Sequence, residues 1–352
     1  MTDTPHATDR WVEQKLERNT TSYVIAEVAQ THDGSLGCAH AFIDAAAQNG
    51  ADAIKFQTHI AEAETTAQEP WRVKFSQQDA SRYDYWKRME FTPEQWAGLK
   101  HHADECKIDF LSSPFSIEAI ELLSKIGVKA WKVASGEALT SNMLDAMAAT
   151  GKPFLLSTGM SRIEEIDDAV DVFRKNGNAF AVFQCTSMYP TPPERIGLNM
   201  IPLFSDRYDC PVGLSDHSGS IAPCIGAAAL GARLFEVHVT FDRGMFGPDV
   251  SVSLTFREFA TLVDSVRLIT AVSAAPVDKD EVAAELDGMR KIFGKSVVAA
   301  RDLGANTFLT KSDIALKKPG NGIPANQVDT IIGKTLVSDL SKDEQISPEH
   351  LV

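Results

Sequence analysis

The 352-residue chain is 44% hydrophobic and 23% charged, with a formal net charge of −14, the profile of a soluble globular protein built as two domains or as one large barrel with an appendage. That acidic balance argues against nucleic acid as a partner, and no apolar run nears the ~18 residues needed to span a membrane. The five cysteines (Cys38, Cys106, Cys185, Cys210 and Cys224) lie far apart without a CxxC pair, which is neither a zinc spacing nor a disulfide framework and fits a reducing, cytoplasmic setting.

In chain order, residues 1–20 are polar, lack the apolar core of a signal peptide, and read as an N-terminal extension. Short apolar or β-branched runs then alternate with longer helical patterns. Strands are expected at 23–29, 53–58, 109–114, 130–135, 154–158, 179–186, 212–217 and 234–240. Between them, segments such as SIEAIELLSKIG and SRIEEIDDAVDVFRKNG have helical periodicity and end in the glycine that a left-handed cap favours. Eight strand–helix units within about 250 residues are the size of a (β/α)8 TIM barrel, placed here at 21–275. The irregular stretch 60–91 is too long for an ordinary connection, and long loops after barrel strands belong to the active-site face. Residues 276–294 read as a charged linker and 295–352 as a small separate domain. In that domain RDLGANTFLTKSDIA (301–315) and SDLSKDEQISPEHLV (338–352) form a weak internal repeat around the turn KKPGNG (317–322).

In such a barrel the reacting groups come from the carboxyl ends of several strands, and alternate residues of a strand share a face. Those ends offer Glu27, Lys55, Ser113, Lys132 with Ser135 and Glu137, Ser157, Ser215 with His217, and Glu236 with His238. Lys55 and Lys132 lie inside apolar runs, where cations without anions would be costly. Ringed by the hydroxyls of Ser113, Ser135, Ser157 and Ser215, they suit a small, highly charged anion such as a phosphorylated carboxylate. His217 and His238 end adjacent strands, so their rings can converge on an open divalent-metal site that polarises a carbonyl; ligand chemistry alone does not choose among Mn, Zn, Fe and Co. Asp216 belongs to the opposite face from His217 and reads as a structural group.

The motifs IAEVAQTHDGS, DAIKFQT, FLSSPF, KVASGE, LLSTGM, CTSMYPTPP, GLSDHS, EVHVTFDR, GPDVSVSL and KKPGNGI occur here in the order found in the sialic acid synthase family, which the chain resembles over roughly 21–352. The resemblance implies condensation of phosphoenolpyruvate with an aldose, an N-acyl hexosamine or related sugar, to give a nonulosonic acid and phosphate. It implies that Lys55, Ser113, Lys132, Ser135, Ser157, Ser187 and Ser215 hold phosphoenolpyruvate, and that Tyr189 and Asp249 meet the sugar. His217 and His238 become the metal ligands, with Mn2+ the usual ion, Glu27 the proton-handling acid and Glu137 a further site carboxylate. The tail resembles the antifreeze-like SAF domain of those enzymes, which in a homodimer covers the partner's barrel. Lys318 stands where family members commonly carry an Arg that meets the acyl group, Gln184 where His is usual, and Thr31-His32-Asp33-Gly34 replaces the common Asn-His-x-Gly. A Schiff-base aldolase using Lys132 or Lys55, or a non-catalytic sugar-binding relative, would occupy the same barrel.

Overall fold

The computed structural model describes residues 21–352; the extension expected at 1–20 lies outside the described residues. Two compact units are present, one ending at Ala275 and the other spanning Pro276–Val352. The first holds eight parallel strands: β1 (Tyr23–Glu27), β2 (Ala53–Thr58), β3 (Asp109–Pro114), β4 (Trp131–Val133), β5 (Phe154–Ser157), β6 (Phe180–Cys185), β7 (Val212–Asp216) and β8 (Leu234–Thr240). Their ladders run β3-β2-β1-β8-β7-β6-β5-β4, so β1 pairs with both β2 and β8, and the barrel is closed except for a ladder between β3 and β4.

Alternation along each strand sorts the interior. Val24, Ala26, Ile54, Phe56, Phe110, Val182, Leu214, Phe235 and Val237 face outward into the core beneath the helices. Residues one pleat away, Tyr23, Ile25, Ala53, Leu111, Ala130, Leu155, Ala181, Phe183 and Leu234, fill the inside of the barrel. Strand pairing in this fold therefore permits no slip, because a shift of one residue would exchange the two sets. Gly213 has a steric reason to be glycine: a Cβ there would lie 2.7 Å from the Phe183 ring and 2.6 Å from the Leu234 carbonyl oxygen. The outer helices start and stop on local signals. Ser116 Oγ accepts from Ala119 N at 3.1 Å to open Ile117–Ile126, and Gly127, at φ 86°, closes it.

The stretch 60–91 is ordered. It contains short helices Ala61–Glu64 and Arg82–Met89, and the Arg88 guanidinium ties it down by donating to Asp79 Oδ2 at 2.8 Å and Asp33 Oδ1 at 2.7 Å. In the second unit, 276–294 forms two short helices without buried side chains, Lys279–Glu285 and Asp287–Phe293. The sequence repeat has a structural counterpart. Leu303 N donates to Leu340 O and Leu340 N to Leu303 O, both at 2.8 Å, while Thr310 and Ser347 each cap an equivalent short 3-10 turn. Val297, Leu303, Leu309, Ile331, Leu336, Leu340 and Ile346 form this unit's own core.

Candidate functional site

The carboxyl ends of the strands open into a cavity of about 920 Å³ whose lining includes Glu27, Lys55, Ser113, Lys132, Ser135, Glu137, Ser157, Ser187, Tyr189, Ser215, His217, His238 and Asp249. Every barrel residue expected from the sequence to touch a ligand or metal is thus gathered on one surface. Lys318 is in the second unit, its ammonium 5.0 Å from the centre of the Phe293 ring.

At the floor, charge is concentrated on side chains only 1–4% exposed. Lys55 Nζ lies 3.1 Å from Glu27 Oε2, close enough to pair though not aligned for a hydrogen bond, and 3.4 Å from Glu236 Oε1. Lys132 Nζ stands 3.4 Å from that same Glu236 oxygen and donates to Ser157 Oγ at 2.6 Å. Ser215 Oγ donates to Glu236 Oε1 at 3.1 Å. Glu236 is therefore the anion that lets two ammonium groups coexist in a dry barrel. Against the burial that opposes its charge, Lys132 and then Lys55 hold its carboxyl below the usual range. Burial acts oppositely on Glu27, lifting it to about 7 despite Lys55, with Glu236 adding to the rise. Burial also lowers Lys132, whereas Glu236 and Glu27 outweigh burial at Lys55 and raise it. With Glu27 protonated, the floor carries two cations against one anion, a surplus that suits an anionic ligand.

On the β5–β7 side, Gly159 N donates to Ser135 Oγ at 2.9 Å. A Cβ on Gly159 would lie 2.4 Å from Ser187 Oγ and 2.8 Å from Ser135 Oγ, so glycine is what allows these hydroxyls to pack around one backbone turn. Cys185 joins them, with Ser135 Oγ donating to its Sγ at 3.8 Å. No site group was expected on strand six, which carries no charge; the signal for Cys185 was that it lies in phase with the inward Ala181 and Phe183.

His217 and His238 converge, their ring centres 5.2 Å apart. The His217 Nδ1–H donates to Thr186 O at 3.0 Å, which leaves Nε2 with its lone pair. Burial keeps both rings neutral by pushing His217 down and His238 well down. His238 Nδ1 is buried without a hydrogen-bond partner among the described residues. Two neutral imidazoles, one oriented by a carbonyl and one with an unsatisfied nitrogen, fit two nitrogen ligands of a divalent ion. Asp216 points the other way, accepting from Ser218 N at 3.0 Å and Ser218 Oγ at 2.6 Å. Elsewhere, Asp44, His102 and Cys106 cluster on the outer helices, where His102 pairs with Asp44 at 2.9 Å.

The outer rim comes mainly from the long loop after β2. Arg72 lies 4.6 Å over the Tyr189 ring and 3.7 Å from Asp249 Oδ1, and Tyr189 packs on His217 at 4.2 Å between ring centres. Gln184 is absent from the lining; its Nε2 donates to Ile196 O at 2.9 Å and holds the loop after β6. Thr31, which stands where Asn is common, also lies outside the lining; it is buried and its hydroxyl donates to Val28 O. Two of the sequence's departures from the sialic acid synthase pattern therefore affect the wall behind the site.

Residues 42–277 match the NeuB family and residues 294–352 the SAF domain. The N,N'-diacetyllegionaminic acid synthase of Campylobacter jejuni is 33% identical, over 92% of this chain and 98% of that one. The human N-acetylneuraminate-9-phosphate synthase is also 33% identical, over 93% of this chain and 92% of its own. The crystal structure of N-acetylneuraminic acid synthetase from Leptospira borgpetersenii, in complex with citrate, superposes with a TM-score of 0.68 at 30% identity, covering 77% of this chain and 92% of that one. Among the described residues no helix is long and apolar enough to cross a membrane.

Proposed function

The chain belongs to the NeuB family and ends in an SAF domain, and from that premise we propose that it condenses phosphoenolpyruvate with an open-chain aldose, forming a nonulosonic acid and releasing phosphate. The observation that carries the reading is the pair of buried lysines inside β2 and β4, which meet across one carboxylate oxygen at 3.4 Å each. A doubly anionic ligand would displace part of that pairing and find hydroxyl donors already in place on Ser113, Ser135, Ser157, Ser187 and Ser215. Tyr189, Asp249 and Arg72 at the rim would meet the aldose.

In this reading C3 of phosphoenolpyruvate bonds to the aldehyde carbon, water adds at C2, and phosphate leaves with cleavage of its C–O bond. Lys55 and Lys132 counter the phosphate and carboxylate charge throughout. Glu27, poised near neutrality at about 7 by burial, exchanges the proton between water and the new hydroxyl. Glu137, which burial also raises, faces the sugar side. His217 and His238 would hold the divalent ion, manganese by the resemblance, whose charge supplies polarisation of the aldehyde oxygen. Lys318 and the homodimer are part of the same proposal. Lys318→Arg should alter the preference among N-acyl aldoses, and sedimentation should return a dimer.

The deciding assay incubates the protein with phosphoenolpyruvate and a panel of N-acyl and plain aldoses, with manganese or with EDTA, and follows phosphate release and product mass. No metal-dependent product with any acceptor would defeat the reading. The lowered, buried Lys132 amine favours one alternative, a Schiff-base lyase, in which borohydride with a carbonyl substrate would trap that lysine without phosphate release.

A further inference from the structure

On the outside of the barrel, two helices bring together four side chains of metal-binding chemistry, none of which lines the cavity. His40 and Asp44 stand four residues apart on the helix Leu36–Gln48. His102, on the helix Pro93–Glu105, and Cys106, which caps that helix, are also four apart. Residues at this spacing share one face of a helix. The two helices are neighbours whose inner faces, Ala39, Phe42 and Ala46 on one and Trp96, Leu99 and Ala103 on the other, lie in the common core. Their two polar pairs therefore meet at the solvent edge of the packing. His102 Nε2 is 2.9 Å from Asp44 Oδ1, and Cys106 Sγ is 3.7 Å from the same oxygen. On the other side of the His102 ring, Nδ1 is 2.8 Å from His40 Nδ1.

A His–Asp pair accounts for the first of these contacts. It gives no reason for a thiol on the same oxygen or for a second imidazole behind the first. One atom each of Asp44, His102 and Cys106 lies within 4.8 Å of the other two. Tetrahedral ligands at bond lengths of about 2.0–2.3 Å stand about 3.3–3.6 Å apart, so small side-chain rotations would let all three grip one ion. We propose that Asp44, His102 and Cys106 form a second metal site, for a divalent cation of the zinc class, with His40 as a positioning residue. One imidazole, one thiolate and one carboxylate select zinc over the oxygen-seeking magnesium and calcium, and the exposed edge leaves the fourth position to water. Coordination at Nε2 puts the His102 ring hydrogen on Nδ1, and His40 Nδ1 is already in place to accept it, the contact that orients metal-bound histidines. The ion would clamp the helix that follows β1 to the helix that precedes β3. Nothing in this assignment depends on the reaction proposed above.

Cobalt(II) is the probe, because a thiolate ligand gives it a near-ultraviolet sulfur-to-metal absorption. Titrated into the full-length protein, it should produce that band. The band should be lost in Cys106→Ser and His102→Gln, kept in His217→Ala, and removed by zinc but not by magnesium. No band in the wild type, or a spectrum unchanged by Cys106→Ser, would overturn the site, and displacement by magnesium would overturn its zinc class. Zinc should raise the unfolding temperature of the wild type and leave that of Cys106→Ser where it was; an equal rise in both would also count against the clamp. In His40→Phe the cobalt affinity should drop about tenfold, and an unchanged affinity would remove the positioning role of His40.

Discussion

The lower and upper halves of the barrel interior are made by the same strands, a single pleat step apart, yet they obey opposite rules. Below, Tyr23, Ile25, Ala53, Leu111, Leu155, Phe183 and Leu234 pack without charge. Above, the next inward positions are Glu27, Lys55, Ser113, Ser157, Cys185 and Glu236, equally dry but polar. An apolar plug needs only volume complementarity, whereas a buried charged layer needs each group matched to a partner. Substitutions in the lower half should therefore be read in stability, and those in the upper half in chemistry.

The largest expected departure is Lys132→Met. Removing one of the two cations should lower kcat/KM for phosphoenolpyruvate by at least ~1,000-fold, and leaving Glu236 half-compensated should cost about 3–5 kcal/mol of stability. Steady-state kinetics with urea melts would check both. A loss of stability without a loss of turnover would remove Lys132 from the chemistry.

His217→Ala and His238→Ala come next. Each should abolish manganese binding, measured directly by paramagnetic resonance titration, and metal-dependent turnover, while circular dichroism stays that of the folded barrel. Manganese bound equally well by both variants would place the metal elsewhere.

In the lower half, Gly213→Ala forces a methyl group against Phe183 and the Leu234 carbonyl. It should destabilise the protein by about 1–3 kcal/mol and leave KM for phosphoenolpyruvate unchanged. A change in KM without a stability loss would mean that the two halves are not separable.

The smallest effect is a slope. The folded protein keeps a proton on Glu27 up to about 7, against the ordinary 4.5, so between those values it binds more protons than the unfolded chain. The Glu27 contribution to stability is then full below 4.5 and is lost as pH rises through 7. Glu27→Gln, neutral at every pH, should gain stability relative to wild type as pH rises across that window in a urea-melt series. A constant difference would show that the Glu27 carboxyl is not raised by folding.

Much of the site was legible because strand periodicity is local. Lys55, Lys132, His217 and His238 could each be assigned to an inward face from their apolar neighbours alone. Glu236 was visible on the right face, but its role was not, since nothing local says that one oxygen will serve two lysines from β2 and β4. Cys185 was missed because its strand end carries no charge. Arg72 comes from a loop whose path depends on Arg88 reaching Asp33 and Asp79. Gln184 looked like a change near the sugar and Thr31 like one after the first strand, and the fold puts both in the supporting wall.

The sequence by itself determined the barrel, its strand limits to within a few residues, the inward phase of its polar groups and the separate tail with its repeat. Those features rest on periodicity and capping, which act over a few residues. The tertiary structure alone decided which charges share a partner, which carboxyl stays protonated and which loop residues rim the cavity. These depend on distances and burial between segments far apart in the chain, where desolvation rather than residue type sets the chemistry.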